Sequence, residues 1–247
     1  MAEHPSFFTH AGIIKPMIPA VIRNVTQATP TIRTLRIEPH GEFTFKAGQW
    51  IDFYADVAGE RRVAGYSITS SPLTQGHFDL AIKKMGENPV TRYIHAETKE
   101  EDIVHIDGGN GQIFYEAGDA RNVVLLADGI GISPHMSIFR YIFEGDSAAS
   151  VTLVYSAASP SEFLFRKEIE ETTRHDPRMR AFLTVTDKAS DWGGRVGRIN
   201  ADLIREAGVN PEALYYICGP TETIYELVDI LRGLGIRRKQ MRYEIWW

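Results

Sequence analysis

Val123-Val124-Leu125-Leu126-Ala127-Asp128-Gly129-Ile130-Gly131-Ile132-Ser133-Pro134-His135-Met136-Ser137-Ile138 decides the fold of the second half of this chain. Four aliphatic residues in succession, Val123 to Leu126, predict a strand buried on both faces. Ser133 then reads as an N-cap and Pro134 as the first residue of an apolar helix carrying Met136, Ile138, Phe139 and Ile142. Gly129 and Gly131 allow a ligand to approach the backbone with no side chain between them. The helix start beyond them presents free N–H groups and a positive dipole end, which suit a phosphate. A strand, glycine turn and helix is equally an ordinary βα connection, so the flanking segments must decide.

Downstream the alternation continues. Val151–Tyr155, Ala181–Thr186 and Tyr215–Cys218 are further short apolar strands. Helical stretches lie between them at Pro134–Phe143, Glu162–Thr173, Asn200–Ala207 and Thr221–Leu234. Strands alternating with helices imply a parallel sheet covered on both faces, with ligands beyond the carboxyl ends of its strands. Asp128-Gly129-Ile130-Gly131 and Gly219-Pro220 fall at such ends.

Upstream the pattern differs. Ala20–Val25, Thr31–Ile37, Gly48–Tyr54, Gly65–Thr69, His77–Lys83 and Asp102–Ile106 are short strand candidates divided by turn residues, with one short helix at Val90–Ala96. Regular short strands of this kind predict a closed antiparallel barrel or a sandwich. The change of character near Glu116-Ala117-Gly118-Asp119 divides the chain into 1–117 and 118–247.

Composition narrows the function classes. The 247 residues, 43% hydrophobic and 24% charged, are enough for two cores. A net charge of −5 leaves no basic footprint for nucleic acid. One cysteine excludes a disulfide within the chain and a cluster held by four of its own thiolates, and suits a reducing compartment. No apolar run reaches the roughly 20 residues of a membrane span. Met1 to Lys15 lacks the basic and apolar blocks of a secretion signal, so a cytoplasmic location is expected.

These segments together resemble the ferredoxin–NADP reductase-like flavoprotein superfamily. The resemblance runs from about Ala20 to Trp247 and rests on the glycine turn at 127–134, Val151–Ser156, Tyr216-Ile217-Cys218-Gly219-Pro220 and the ending Tyr243-Glu244-Ile245-Trp246-Trp247. Gly65-Tyr66-Ser67-Ile68 with Ser70-Ser71-Pro72 and the double-Trp end are most similar to the oxidoreductase NAD-binding domain-containing group. The resemblance implies a flavin-binding barrel followed by a nicotinamide-dinucleotide domain, and hydride transfer from nicotinamide to flavin N5. Electrons would then pass to an unidentified acceptor, a separate protein or a small molecule. Two alternatives stay open: a reductase using free flavin as substrate, and a non-catalytic nucleotide or flavin sensor.

The same resemblance assigns residues. Tyr66 and Ser67 match the family's flavin strand, with Ser67 near N5 and Ile68, Ile82 and Val90 in the same flavin site. The family's pyrophosphate-pairing arginine falls at Ala64; Arg62, two residues earlier, either replaces it or is a solvated charge, and the flavin is FAD or the smaller FMN. Thr91 matches a helix-opening hydroxyl, although the family's glycine is missing at Asn88, and Arg92 adds charge beside it. Gly129, Gly131, Ile132 and Pro134 would hold the nicotinamide cofactor's pyrophosphate, where Asp128 is a departure that repels an anion unless it turns away. Cys218, Gly219 and Pro220 resemble the segment beside nicotinamide C4, and Glu244 the nearby acid. Trp247 resembles the aromatic cover over the flavin, or else closes the domain interface, where Trp246 fits better. Asp187 after Thr186 favours NADH over NADPH, and Asp187, Lys188 and Arg195 read equally as solvated loop charges. His95, His105 and His135 lack metal-ligand companions. The basic run Arg232 to Lys239 is a solvated turn or a docking point for an acidic partner.

Overall fold

The computed structural model of the chain describes residues 17–145, 148–187 and 192–245. Its first half is an antiparallel sheet of β1 (Ile18–Gln27), β2 (Ile32–Pro39), β3 (Trp50–Val57), β4 (Glu60–Ser67), β5 (Phe78–Lys83) and β6 (Ile103–Asn110), in the order β4-β3-β6-β1-β2-β5. A bridge between Ile68 and Leu80 joins the two edges, so the sheet closes into a barrel. Ile51, Phe53 and Ala55 alternate inward on β3 and meet Ile22, Leu35, Ile37, Leu80 and Ile106. Each such aliphatic or aromatic side chain contributes about 1.5–3 kcal/mol on burial. One helix, α1 (Pro89–Ala96), packs on β3 and β4.

The strand at Gly65–Thr69 begins five residues earlier than expected. Ala58 and Gly59, with φ of 52° and 81°, make a two-residue hairpin that pairs Val57 with Glu60. Arg61 to Val63 are exposed on that hairpin and carry no alternation to read. The cap of α1 also differs from expectation: Asn88, not Thr91, is the N-cap.

The second half is an all-parallel sheet of β7 (Asn122–Asp128), β8 (Ser150–Ala157), β9 (Met179–Val185), β10 (Arg195–Val196), β11 (Leu214–Cys218) and β12 (Met241–Arg242), ordered β10-β9-β8-β7-β11-β12. Helices α2 (Ile132–Gly145) and α3 (Arg166–His175) cover one face. The other face is covered by α4 (Ala201–Ala207) and α5 (Thr221–Gly233). Val123, Leu125 and Ala127 point to the first face and Val124 and Leu126 to the second, which is why the strand reads as an unbroken apolar run.

Two helix starts correct the sequence reading. A 3₁₀ turn at Gly129–Gly131 runs straight into α2, so Ser133 and Pro134 sit inside its first turn instead of at the N-cap and N1. Pro134 is tolerated because first-turn N–H groups have no intrahelical partner. The helix expected from Glu162 starts at Arg166: Phe163 and Leu164 dive into the core, and Phe165 resets the chain at φ 60°. The two-residue strands β10 and β12 are too short to show a period.

Polar contacts dock the halves. Ser137 Oγ donates to the Ser70 carbonyl at 2.7 Å, and Arg140 to the Thr69 carbonyl at 2.7 Å while gripping Glu168 through two 2.6 Å bonds. The Thr29 and Thr31 hydroxyls donate to Glu162 at 3.0 and 2.6 Å. Among the described residues, no helix is long and apolar enough to cross a membrane, and no group of three metal-ligating side chains forms.

Candidate active site

Ser67, the last residue of β4, lies opposite Trp50 in the β3–β4 ladder, on the same side of the sheet. Trp50 leads to the other half through Gly111, whose φ is +94°. A Cβ there would stand 2.8 Å from Trp50 Nε1 and 3.3 Å from Glu244 Oε1. The carboxylate of Glu244 accepts the Gln112 N–H at 2.8 Å and so belongs to both halves. Burial, helped by the charge of Glu244, pushes the Cys218 thiol up to about 12. Ser67, Trp50, Gly111, Glu244 and Cys218 therefore follow one another across the seam between barrel and parallel sheet.

A second set lies along the barrel wall. Tyr66 packs edge-on to Phe53, and its hydroxyl is 2.9 Å from Thr91 Oγ1. Burial pushes Tyr66 up to about 12, so it stays a protonated hydroxyl. Asn88 Oδ1 takes the N–H groups of Val90 and Thr91 at 2.9 and 3.1 Å. Arg62 pairs with Glu60 on the exposed hairpin, and Arg92 with Glu87 at 3.2 Å. Ile68, Ile82 and Val90 are at most 1% exposed and belong to the barrel core, so they back this wall and do not line it with side chains.

The third set is the glycine turn. A Cβ on Gly131 would lie 2.2 Å from the Cys218 carbonyl oxygen and 2.8 Å from Gly219 N, and one on Gly219 would lie 2.9 Å from Asp128 Cβ. The turns after β7 and β11 thus interlock, and only glycine fits at their contact. Asp128 turns away from Gly129: it accepts from Thr223 Oγ1 at 2.9 Å, and Arg198 donates to the same hydroxyl at 3.0 Å. Ile132 is buried, Pro134 half-buried and Pro220 exposed at the head of α5.

Sequence reasoning missed Lys83. It ends β5 in the barrel, yet its Nζ would lie 3.9 Å from a Cβ on Gly129 in the other half. A lysine closing a strand gave no hint of that reach. Asp187 is exposed just beyond β9, its N–H bonded to the Ala158 carbonyl at 2.9 Å. His135 is buried, and desolvation drops it to about 3, so it is a neutral core residue. Trp246, Trp247 and Lys188 lie outside the described residues.

Comparison with known proteins shows the family. Residues 20–115 match the oxidoreductase FAD-binding domain and residues 125–228 the oxidoreductase NAD-binding domain. Oxidoreductase NAD-binding domain-containing protein 1 of Bos taurus is 31% identical over 252 residues, covering 92% of this chain and 80% of the relative. This chain belongs to that family, within the ferredoxin–NADP reductase-like flavoproteins. It is also similar to ferredoxin–NADP reductase B of Sorangium cellulosum, at 28% identity over 89% of this chain and 93% of the relative. The FAD/NAD-binding domain of a nitric oxide dioxygenase from Vibrio cholerae shares the fold, with a TM-score of 0.83, 21% identity, and 93% and 98% of the two chains covered. A ferredoxin NADP+ reductase from Neisseria gonorrhoeae does so with a TM-score of 0.78 and 22% identity, over 94% and 99%.

Proposed function

We propose that this chain is an NAD(P)H-dependent flavin oxidoreductase that passes electrons to a separate acceptor, with residues 1–117 holding flavin and 118–247 the nicotinamide dinucleotide. The observation that carries this reading is the seam at Gly111, where the lack of a Cβ lets Trp50, paired with Ser67, and Glu244, close to Cys218, come together from the two halves. Two flat rings meeting there would have Ser67 on the barrel side and Cys218 on the other.

Bound flavin supplies the hydride-accepting N5. The chain's own residues supply position and charge. The Ser67 hydroxyl offers a hydrogen bond at the ring edge. Cys218 stays a protonated thiol and packs, since hydride transfer asks for no thiolate. The Gln112 N–H fixes the Glu244 charge beside it. The turn at Gly129–Gly131 and Lys83 flank the place for the dinucleotide's pyrophosphate, with Asp128 averted. Asp187 favours NADH, because a carboxylate near a 2′-phosphate is repulsive. Trp247 is the flavin cover in this reading, and the lone thiol suits a reducing, cytoplasmic setting.

Anaerobic mixing of flavin-loaded protein with NADH tests it. Bleaching of the flavin within seconds is expected, slowed about tenfold in Ser67→Ala, the equivalent of one modest hydrogen bond. A flavin that stays oxidised with both NADH and NADPH would overturn the proposal.

A further inference from the structure

We infer that the flavin cleft recognises the ring and ribityl chain and is indifferent to flavin phosphates, so that riboflavin, FMN and FAD bind with similar affinity; Ala64 and Asn88 are the residues that set this. This rests on the flavin reading above and narrows it to a ligand class.

Phosphate recognition needs N–H groups with nowhere else to go, or a cation not already neutralised. On this wall the helix donors are spoken for, and the two nearby arginines stand beside carboxylates. The first residue of α1 is Pro89, which has no N–H. Val90 and Thr91 give theirs to Asn88 Oδ1, and Arg92 gives its own to the Asn88 carbonyl at 3.1 Å. Every N–H of the helix's first turn is thus closed onto one asparagine. A ligand phosphate would have to displace a neutral cap that already satisfies two donors. The remaining hydroxyls, Tyr66 and Thr91, bond each other at 2.9 Å and present neutral oxygens.

The cations tell the same story. β4 carries Ala64 and Tyr66 toward the barrel core and α1, and Ala64 brings no charge. Arg62 and Arg92 are exposed on the rim, each beside a carboxylate, Glu60 and Glu87. Lys83, which ends β5, extends to Gly129 of the other half. The ring end is differently equipped, with Trp50 and Glu244 against Gly111 and Ser67 paired with Trp50. Affinity should therefore come from the part of the molecule that all three flavins share.

The test is equilibrium binding of riboflavin, FMN and FAD to the full chain, read by flavin fluorescence at low and high salt without nicotinamide. Dissociation constants within about fivefold of one another are expected, with little salt dependence. Asn88→Gly opens two N–H groups, and Ala64→Arg adds a cation. Together they should tighten FMN and FAD about tenfold or more and leave riboflavin unchanged. Should the pair fail to fold, the unmodified protein's FMN-to-riboflavin ratio still decides. FMN or FAD binding more than about 50-fold tighter than riboflavin, and weakening steeply with salt, would overturn the inference while leaving the flavin reading intact. Binding of no flavin at all would overturn both.

Discussion

Two helices in this molecule, one in each half, have N-termini built in opposite ways. α2 is entered through Gly129 and Gly131 with no side-chain cap; its neighbouring acid, Asp128, is turned to Thr223, and Lys83 reaches across from the barrel. α1 is entered through Asn88 and Pro89, and its first-turn donors are consumed at home. One end has no side-chain cap and the other is closed by one. A helix start is a phosphate site only when its donors are left over, and a single capping side chain decides that.

Breaking the uncapped end should have the largest effect. Gly131→Ala drives a Cβ into the backbone of Cys218 and Gly219, which cannot yield like a flexible side chain. Overpacking of this kind costs about 2 kcal/mol or more of stability and displaces the turn, so the denaturation midpoint should fall and the KM for NADH should rise by about tenfold or more. An unchanged KM would show that the interlocked turns do not hold the nucleotide. Lys83→Met should raise that KM about tenfold and flatten its salt dependence, with kcat little altered. An unaltered salt dependence would place Lys83 outside the site.

The capped end gives a stability readout instead. Asn88→Ala strands two donors and should destabilise the chain by about 1 kcal/mol, whereas Asn88→Gly should cost only a few tenths. Equal denaturation midpoints for the two would contradict the cap. Cys218 adds a pH readout from the seam itself. Its thiol is held up to about 12 in the folded chain, against about 8.5 when unfolded. The unfolded state releases this proton first, so the contribution is constant below about pH 8.5 and stability falls as pH rises beyond it. Thiol reagents at neutral pH should accordingly react slowly until denaturant is added. The smallest effect is expected at Asp187: Asp187→Ser should improve NADPH use relative to NADH only a few-fold. An identical ratio would remove the loop from cofactor choice.

The buried parts of this fold were legible because burial writes a period. Val123 to Leu126 announced a strand covered on both sides, and β3 announced a barrel wall by alternation. Exposed geometry wrote nothing. The Ala58-Gly59 hairpin extended β4 through residues with no apolar rhythm, and Phe165 broke a helix because two neighbours were drawn into the core. At the site, residue types were readable and directions were not. Asp128 looked like a repulsive neighbour of the glycine turn until Thr223 was seen to hold it aside. Asn88 looked like a missing glycine, and only its 2.9 and 3.1 Å bonds show that it closes the helix. Lys83 lies far in sequence from the turn it approaches, so no local pattern could pair them.

The central claim is that a nicotinamide ring reduces a flavin at the seam between Ser67 and Cys218. Rapid anaerobic mixing with NADH deuterated at the transferred C4 position measures that step alone. Flavin reduction slowed several-fold against unlabelled NADH is the predicted result. Reduction at the same rate with both, or no reduction, would contradict direct hydride transfer across this seam.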